Sequence, residues 1–465
     1  MNLKFLGANR QVTGSCYHLS AGGLSILIDG GLFQEREFIG RNWNSKPVDL
    51  KRVDYLLLTH AHLDHCGLIP RLVREGFCGK IITTEPSVEM AQIVMADSAR
   101  IQEEDVKYKQ KRHRKEKKKS RYPYEPLYSV ADAERVGSLM QGVDFDNAVK
   151  LTEDVVVYFR EAGHILGAAM LEIVVREERS TRRLLFSGDI GQWDVPIVGD
   201  PALISQADVV VMESTYGDRD HEKPDDILSQ LADVIQETLC RGGNLVIPTF
   251  AIERAQELML YLARLIKQKR IPPVPVFLDS PMAVNVTEVF RRHHDFMGDK
   301  TRRLLESGEL DEAWRSIKLV RSVNESKAIN EKRGTYIVLA GSGMCTGGRI
   351  KHHLVHNIER PESTILFVGY QASGTLGRRI IQEPETVRIF GRQRQMRAHV
   401  RRIYGLSAHA GRQELLHWLG HFQGAPKHLF LTHGEEKAAL KLARQIRDEW
   451  GWEVQVPTYL STHEF

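Results

Sequence analysis

Residues 56–70, LLLTHAHLDHCGLIP, constrain this chain more than any other stretch. The leucines read as the end of a buried strand. They run directly into His60, His62, Asp64 and His65. Each polar group left unsatisfied in a dry interior costs about 1–3 kcal/mol. The strand must therefore open onto a place where the four groups share a partner. In a strand-to-helix turn residues 60, 62 and 64 point the same way, and 65 follows as a helix begins. Imidazoles with a carboxylate suit zinc-like ions. A lone histidine is more often a satisfied polar side chain, but four such groups within six residues point to a metal.

Three other positions repeat the pattern of a polar side chain at the end of an apolar strand. His164 lies in REAGHILGAAM, Asp189 in LLFSGDIG and His433 in HLFLTHGEE. Each alone is weak, since a strand-end Asp before Gly is commonly a turn residue. With the first cluster they make seven ligands, enough for two ions about 3.5–4 Å apart that share one carboxylate. Such a pair lets a bridging hydroxide attack phosphorus or a carbonyl carbon. Asp29, which also ends a strand, reads as a group that fixes the turn or supports a ligand.

Short β-rich runs fill the first 60 residues and return from about residue 150 as VVVYFR, LEIVV and RLLFSGD. This part reads as sheets covered by helices. Near residue 206 the pattern changes. DVVVME, a helix over DDILSQLADVIQETLC, GGNLVIP, a helix over ERAQELMLYLARLIKQ, and VPVFLD alternate as βαβαβ. That alternation implies a parallel sheet with helices on both faces. TYIVLA and TILFVG add strands to it. After about residue 394 the chain returns to a strand, HLFLTH, and a final helix. The expected segments are 1–205, 206–394 and 395–465.

No apolar run reaches the roughly 18 residues of a membrane span. The opening MNLKFLGANRQ has no long apolar region, so no secretory leader is expected. Five scattered cysteines without a CxxC pair suit a reducing cytoplasm. Net charge is +4, yet residues 107–121 carry ten Lys/Arg and one Glu. The block is either a solvated helix or arm, or a contact for an anionic partner.

THAHLDH, GHILG and SGDIG resemble the metal motifs of the metallo-β-lactamase superfamily. ESTYGDRDH, GLSAHAG and LTHGEE narrow the resemblance to its β-CASP branch, ribonucleases related to the cleavage-and-polyadenylation endonuclease and RNase J. IPTFAIERAQEL, LDSPMA, GSGMCTGGRI and VGYQASGTLGRRI resemble that branch's inserted domain. The resemblance covers almost the whole chain, with the motifs in family order. It implies an α/β fold: an αββα metallo-β-lactamase sandwich carrying an inserted Rossmann-like parallel β-CASP domain that acts as a lid.

The resemblance also implies two zinc ions per chain. His60, His62 and His164 would hold one, Asp64, His65 and His433 the other, with Asp189 bridging. Asp64 counts with the catalytic groups as well. His409 would be the general acid for the leaving oxygen, supported by Glu213. RNA-cleaving members carry His at position 433, where DNA-repair members carry an apolar residue, so single-stranded RNA is the expected partner. A homodimer is compatible with the pattern. Glu253 stands where relatives usually have Gly, and Gly411 where they usually have Asp.

GSGMCTGGRI and QASGTLGRRI are Gly-rich loops that can expose backbone N–H groups to phosphate. Ser280 and Arg254, with Arg349, Lys351, His352, Arg378 and Arg379 near those loops, are the expected RNA contacts. Phe250 and Tyr370 stand ready either to stack bases or to pack in the core. The expected reaction is phosphodiester hydrolysis in RNA by a two-metal-activated hydroxide, at internal bonds, from the 5′ end, or both. The competing readings are a small-molecule metallohydrolase, which leaves the inserted domain unexplained, and a non-catalytic RNA-binding subunit.

Overall fold

The computed structural model describes residues 1–116, 122–177, 180–221, 226–369, 371 and 374–465. They divide into two compact units. The first comprises Met1–Val195, Gly199–Asp220 and His409–Phe465, the second Pro196–Val198 and His221–Ala408.

The first unit is built on two seven-stranded sheets. Period-two patterning gives each sheet one apolar face. In strand Val155–Glu161, Val155, Val157 and Phe159 are buried while Val156 and Tyr158 are half-buried. One core draws Phe5, Leu19 and Ile28 from one sheet and Phe159, Ile173 and Phe186 from the other. Helix Glu85–Glu116 packs on the first sheet and helix Glu436–Trp450 on the second, which completes four layers. The latter helix buries Ala438, Ala439, Leu442, Ala443 and Ile446 along one stripe and stops at Gly451, whose φ of +68° suits a helix end.

The second unit holds a six-stranded sheet in which every pairing is parallel. Leu245–Thr249 and Ile337–Gly341 lie at its centre and His399–Arg402 at one edge. A separate antiparallel hairpin, Thr386–Ile389 with Arg392–Gln395, follows helix Leu376–Ile381.

Both expected changeover points differ from the structure. Strand Val209–Glu213 pairs with Ser180–Phe186 and with His428–Thr432, so it belongs to the first unit, not to the insertion. His399–Arg402 pairs with Thr364–Phe367 and stays with the second. Strand pairing decides both, and pairing is not visible in the local pattern of either strand. The hairpin and the 32-residue helix Glu85–Glu116 were not anticipated. Among the described residues, no helix is long and apolar enough to cross a membrane.

Candidate metal centre

Strand order brings the expected ligands together. In the second sheet, Ser180–Phe186, Val209–Glu213 and His428–Thr432 are parallel neighbours. Val155–Glu161 reaches the same edge through two antiparallel steps. The carboxyl ends of all four strands therefore coincide, and they carry His164, Asp189, Glu213 and His433. In the first sheet Leu24–Ile28 runs parallel to Tyr55–Leu57, which places Asp29 beside the segment bearing His60 and His62. Asp64 and His65 occupy the first turn of helix Leu63–Cys66.

Two glycines permit the close approach. A Cβ on Gly31 would lie 1.6 Å from the Asp64 carbonyl oxygen, and one on Gly191 would lie 1.7 Å from that of Gly163. Gly191 also donates to the Ala162 carbonyl and bridges to His409. The loops that carry His164, Asp189 and His409 thus meet at one residue.

The side chains form two triads divided by one carboxylate. His60 Nε2 and His164 Nε2 each lie 3.1 Å from His62 Nδ1. They stand 3.4 and 3.5 Å from Asp189 Oδ2. On the other side His65 Nε2 lies 3.1 Å from His433 Nε2, which is 3.5 Å from Asp64 Oδ2. Asp189 Oδ1 is 3.2 Å from His65 Nε2 and 3.5 Å from His433 Nε2. Nitrogens bound 2.0–2.1 Å from one tetrahedral zinc lie about 3.3 Å apart, so these spacings fit that ion. Asp189 Oδ1 is buried and accepts no hydrogen bond among the described residues, an arrangement suited to a cation. Imidazole and carboxylate donors suit zinc chemically as well.

Neighbouring groups aim the ring nitrogens inward. His65 Nδ1 lies 2.7 Å from an Asp29 carboxylate oxygen, which can only accept, so Nδ1 carries the proton and Nε2 faces the centre. Thr59 donates its hydroxyl to Asp29 and so accepts from His60 Nδ1 at 3.1 Å. Thr215 donates its hydroxyl to the His433 carbonyl and accepts from His433 Nδ1 at 3.0 Å. Thr59 and Thr215 were missed in the sequence. Thr59 directly precedes His60, and Thr215 lies two residues after Glu213, but nothing in their types separates them from ordinary turn residues.

Electrostatics divide the rings. Burial lowers His62 to about 4, against the pull of Asp64 and Asp189. Burial, with His65 nearby, likewise holds His60 well below its ordinary value. At His65 burial opposes the charge, but Asp189 and Asp29 outweigh it and hold the ring well above its ordinary value. His409 follows the same logic: burial is outweighed by Glu213 and Asp189, which raise it to about 9. Its Nδ1 lies 3.2 Å from Glu213 Oε1 and 3.9 Å from Asp189 Oδ2.

The expected RNA contacts in the second unit separate into two kinds. Arg254 is 7% exposed and its guanidinium pairs with Glu257. The Ser280 hydroxyl accepts the Ala283 N–H at the start of helix Pro281–Arg292. Arg349 bonds the buried Asp279 at 2.6 Å and the Val320 and Arg321 carbonyls. In the Gly-rich loop, Ser342 Oγ takes the Thr346 and Gly347 N–H groups. These groups are committed within the fold. His352, Arg378 and Arg379 are exposed, Lys351 is half-buried, and Phe250 is exposed. Tyr370 and part of QASGTLGRRI lie outside the described residues. Lys107, Lys109, Lys111 and Arg114 are exposed at the end of helix Glu85–Glu116, while residues 117–121 of the basic block lie outside the described set.

The two departures from the family pattern have distinct outcomes. Glu253 holds φ +64° and ψ −59° in a turn closed by the Arg254 N–H to the Ile252 carbonyl. That is the tight three-residue turn that strains side chains other than glycine's. Gly411 precedes helix Arg412–Leu419 in extended backbone, and its N–H is taken by Glu414.

Comparison with known proteins agrees with this geometry. Residues 10–226 match the model of the metallo-beta-lactamase superfamily, 255–380 the Beta-Casp domain, and 394–457 the Zn-dependent metallo-hydrolase RNA specificity domain. The chain is 37% identical to "Ribonuclease TTHA0252" of Thermus thermophilus over 96% of each protein. It is 30% identical to "Transcription termination factor FttA" of Methanosarcina mazei, over 98% of this chain and 70% of that one. It is 28% identical to an "RNase J-like protein" of Methanocaldococcus jannaschii, over 98% of this chain and 97% of that one. A solved Enterococcus faecalis protein of unknown function, 12% identical, shares the fold over 99% of each chain with a TM-score of 0.55. The chain is a metal-dependent hydrolase of the β-CASP ribonuclease family, within the metallo-β-lactamase superfamily.

Proposed function

We propose that this protein is a zinc-dependent ribonuclease that hydrolyses phosphodiester bonds of single-stranded RNA. The observation that carries the reading is the division of Asp189: one oxygen faces His60 and His164, the other His65 and His433. His60, His62 and His164 would hold one zinc ion, and Asp64, His65 and His433 a second, with Asp189 shared. Bound zinc lowers the pKa of water and offsets charge that builds on the phosphoryl group.

The chain's own residues supply the rest. Asp29, Thr59 and Thr215 hold the proton on the outer nitrogen of three rings, which turns the inner nitrogen toward the metal; at His65 the inner proton would leave as zinc binds. Glu213 accepts from His409 Nδ1 and favours the protonated ring. His409 then delivers a proton to the leaving oxygen as water attacks phosphorus, a role worth about 10²–10⁴-fold in rate. The relatives named as ribonuclease and RNase J-like support RNA as the substrate, as does His433. Five free cysteines fit the cytoplasm.

The test is cleavage of one synthetic single-stranded RNA, labelled separately at each end, with the matching DNA and His409→Ala alongside. Chelator-sensitive cutting of RNA alone, much reduced in the variant, supports the reading, and the product ladder separates internal from 5′-end attack. Turnover of small esters with no action on RNA sinks it.

A further inference from the structure

Residues 386–402, TVRIFGRQRQMRAHVRR, hold six arginines and no carboxylate, in a protein whose net charge is only +4. Most of this stretch is the hairpin Thr386–Ile389 with Arg392–Gln395, whose register pairs Ile389 with Arg392. Its turn is Phe390-Gly391, with φ of +48° and +78°. Such a two-residue turn favours Asn, Asp or Gly at its first position, because a Cβ with positive φ is strained. Phenylalanine sits there instead, and it is 53% exposed. Neither turn chemistry nor core packing explains an apolar ring in that place. Strain kept at an exposed side chain is a reason to look for a ligand.

The ring's surroundings indicate which ligand. Lys351 Nζ lies 4.7 Å from its centroid, and the His352 ring lies 4.8 Å away. Arg388 and Arg392 flank the turn. Both are exposed, and neither has a carboxylate partner among the described residues. Arg394 and Arg401 differ, since they pair with Glu359 and Glu237. Arg388 Nε donates to the Gly391 carbonyl, which braces the guanidinium against the turn and leaves its other N–H groups without a partner among the described residues. Unpaired guanidinium groups match phosphate geometry, and an exposed ring offers a face to an unpaired base.

We propose that the hairpin tip, Phe390 with Arg388, Arg392, Lys351 and His352, is a docking platform for single-stranded RNA. A base stacks on Phe390 while the cations take the flanking phosphates. The platform rests on the reading that this enzyme's substrate is RNA, and it adds a contact made by the second unit.

The test uses the full chain in chelator, which prevents cutting, and a fluorescent oligouridylate of about twelve residues titrated across a salt series. Arg388→Gln with Arg392→Gln is expected to weaken binding and flatten the slope of log K against log salt by about 1.4, at about 0.7 per phosphate. Phe390→Asn is expected to weaken binding about fivefold or more while the melting temperature holds or rises, since Asn suits the turn. The same variant should bind an abasic strand as the wild type does. Variants that bind oligouridylate like a wild type that still cuts RNA overturn the platform and leave the ribonuclease standing. A wild type that neither binds nor cuts RNA overturns both. Altered sedimentation with unaltered RNA affinity also overturns it, in favour of a contact between copies of the chain.

Discussion

Glu213 Oε1 lies 3.2 Å from His409 Nδ1, and the same oxygen accepts the Ile190 N–H at 2.6 Å. Asp189 immediately precedes Ile190, so one carboxylate orients the imidazole and braces the loop of the shared ligand. Glu213→Gln keeps the shape and removes the charge. In chelated protein the His409 pKa should fall from about 9 toward its ordinary value, so the ring loses its proton at lower pH than in the wild type. Histidine NMR titration reads this directly, and an unmoved pKa would show that Glu213 does not hold the charge.

Asp189→Asn should reduce bound zinc from two ions per chain to one or none by elemental analysis. Zinc added to chelated wild type should raise its melting temperature, since a ligand at about 100 times its Kd adds about 2.7 kcal/mol. The variant should show little of that gain. Two ions retained with a full thermal response would remove Asp189 from the shared position.

Thr215→Val removes the hydroxyl that sets the His433 tautomer and leaves the chain's shape almost unchanged. Loss of such a supporting group typically lowers metal affinity 10–100-fold. Competition with a graded chelator measures it. Thr215→Ser should recover most of the loss, and equal failure of both would point to packing rather than the hydrogen bond.

Gly191→Ala places a methyl group against the Gly163 carbonyl. The loops of His164 and Asp189 must separate, at a cost of at least about 1–3 kcal/mol. Chemical denaturation should show that loss together with weaker zinc retention. A variant as stable and as metal-rich as the wild type would mean that the two loops yield easily.

In the second unit, buried Asp279 binds both Arg349 and His353. Burial opposes its charge, but hydrogen bonds from His353, Ser326 and Arg349 outweigh it and hold its carboxyl below the ordinary carboxylate range. A lowered folded pKa means the contribution is complete above the unfolded value and disappears as pH falls through the folded one. Asp279→Asn should cost about 3–5 kcal/mol at neutral pH, and the gap should shrink below about pH 4. Urea denaturation at several pH values checks it, and a gap independent of pH would argue against the charge.

Local chemistry made the metal centre legible early. Buried strands that end in His or Asp stand out because such groups need partners in a dry interior, and His164, Asp189 and His433 each lie next to a glycine. The βαβ alternation likewise announced a parallel sheet, because helix and strand periods differ too much to be confused over ten residues. Arg254, Ser280 and Arg349 were not legible in the same way. They have the right types for phosphate, yet their partners Glu257, Ala283 and Asp279 had already taken them. Whether an arginine is free depends on which carboxylate folds against it.

The sequence by itself determined the ligand types, the two classes of sheet and the order of the segments, because hydrophobic period and residue chemistry are local. Only tertiary structure decided that Val209–Glu213 belongs with His428–Thr432, that Asp189 divides its oxygens between two sets of imidazoles, and that Phe390 stands exposed beside Lys351. Each is a contact between residues distant in the chain, and parallel pairing and long-range packing set such contacts in ways that no single stretch of sequence records.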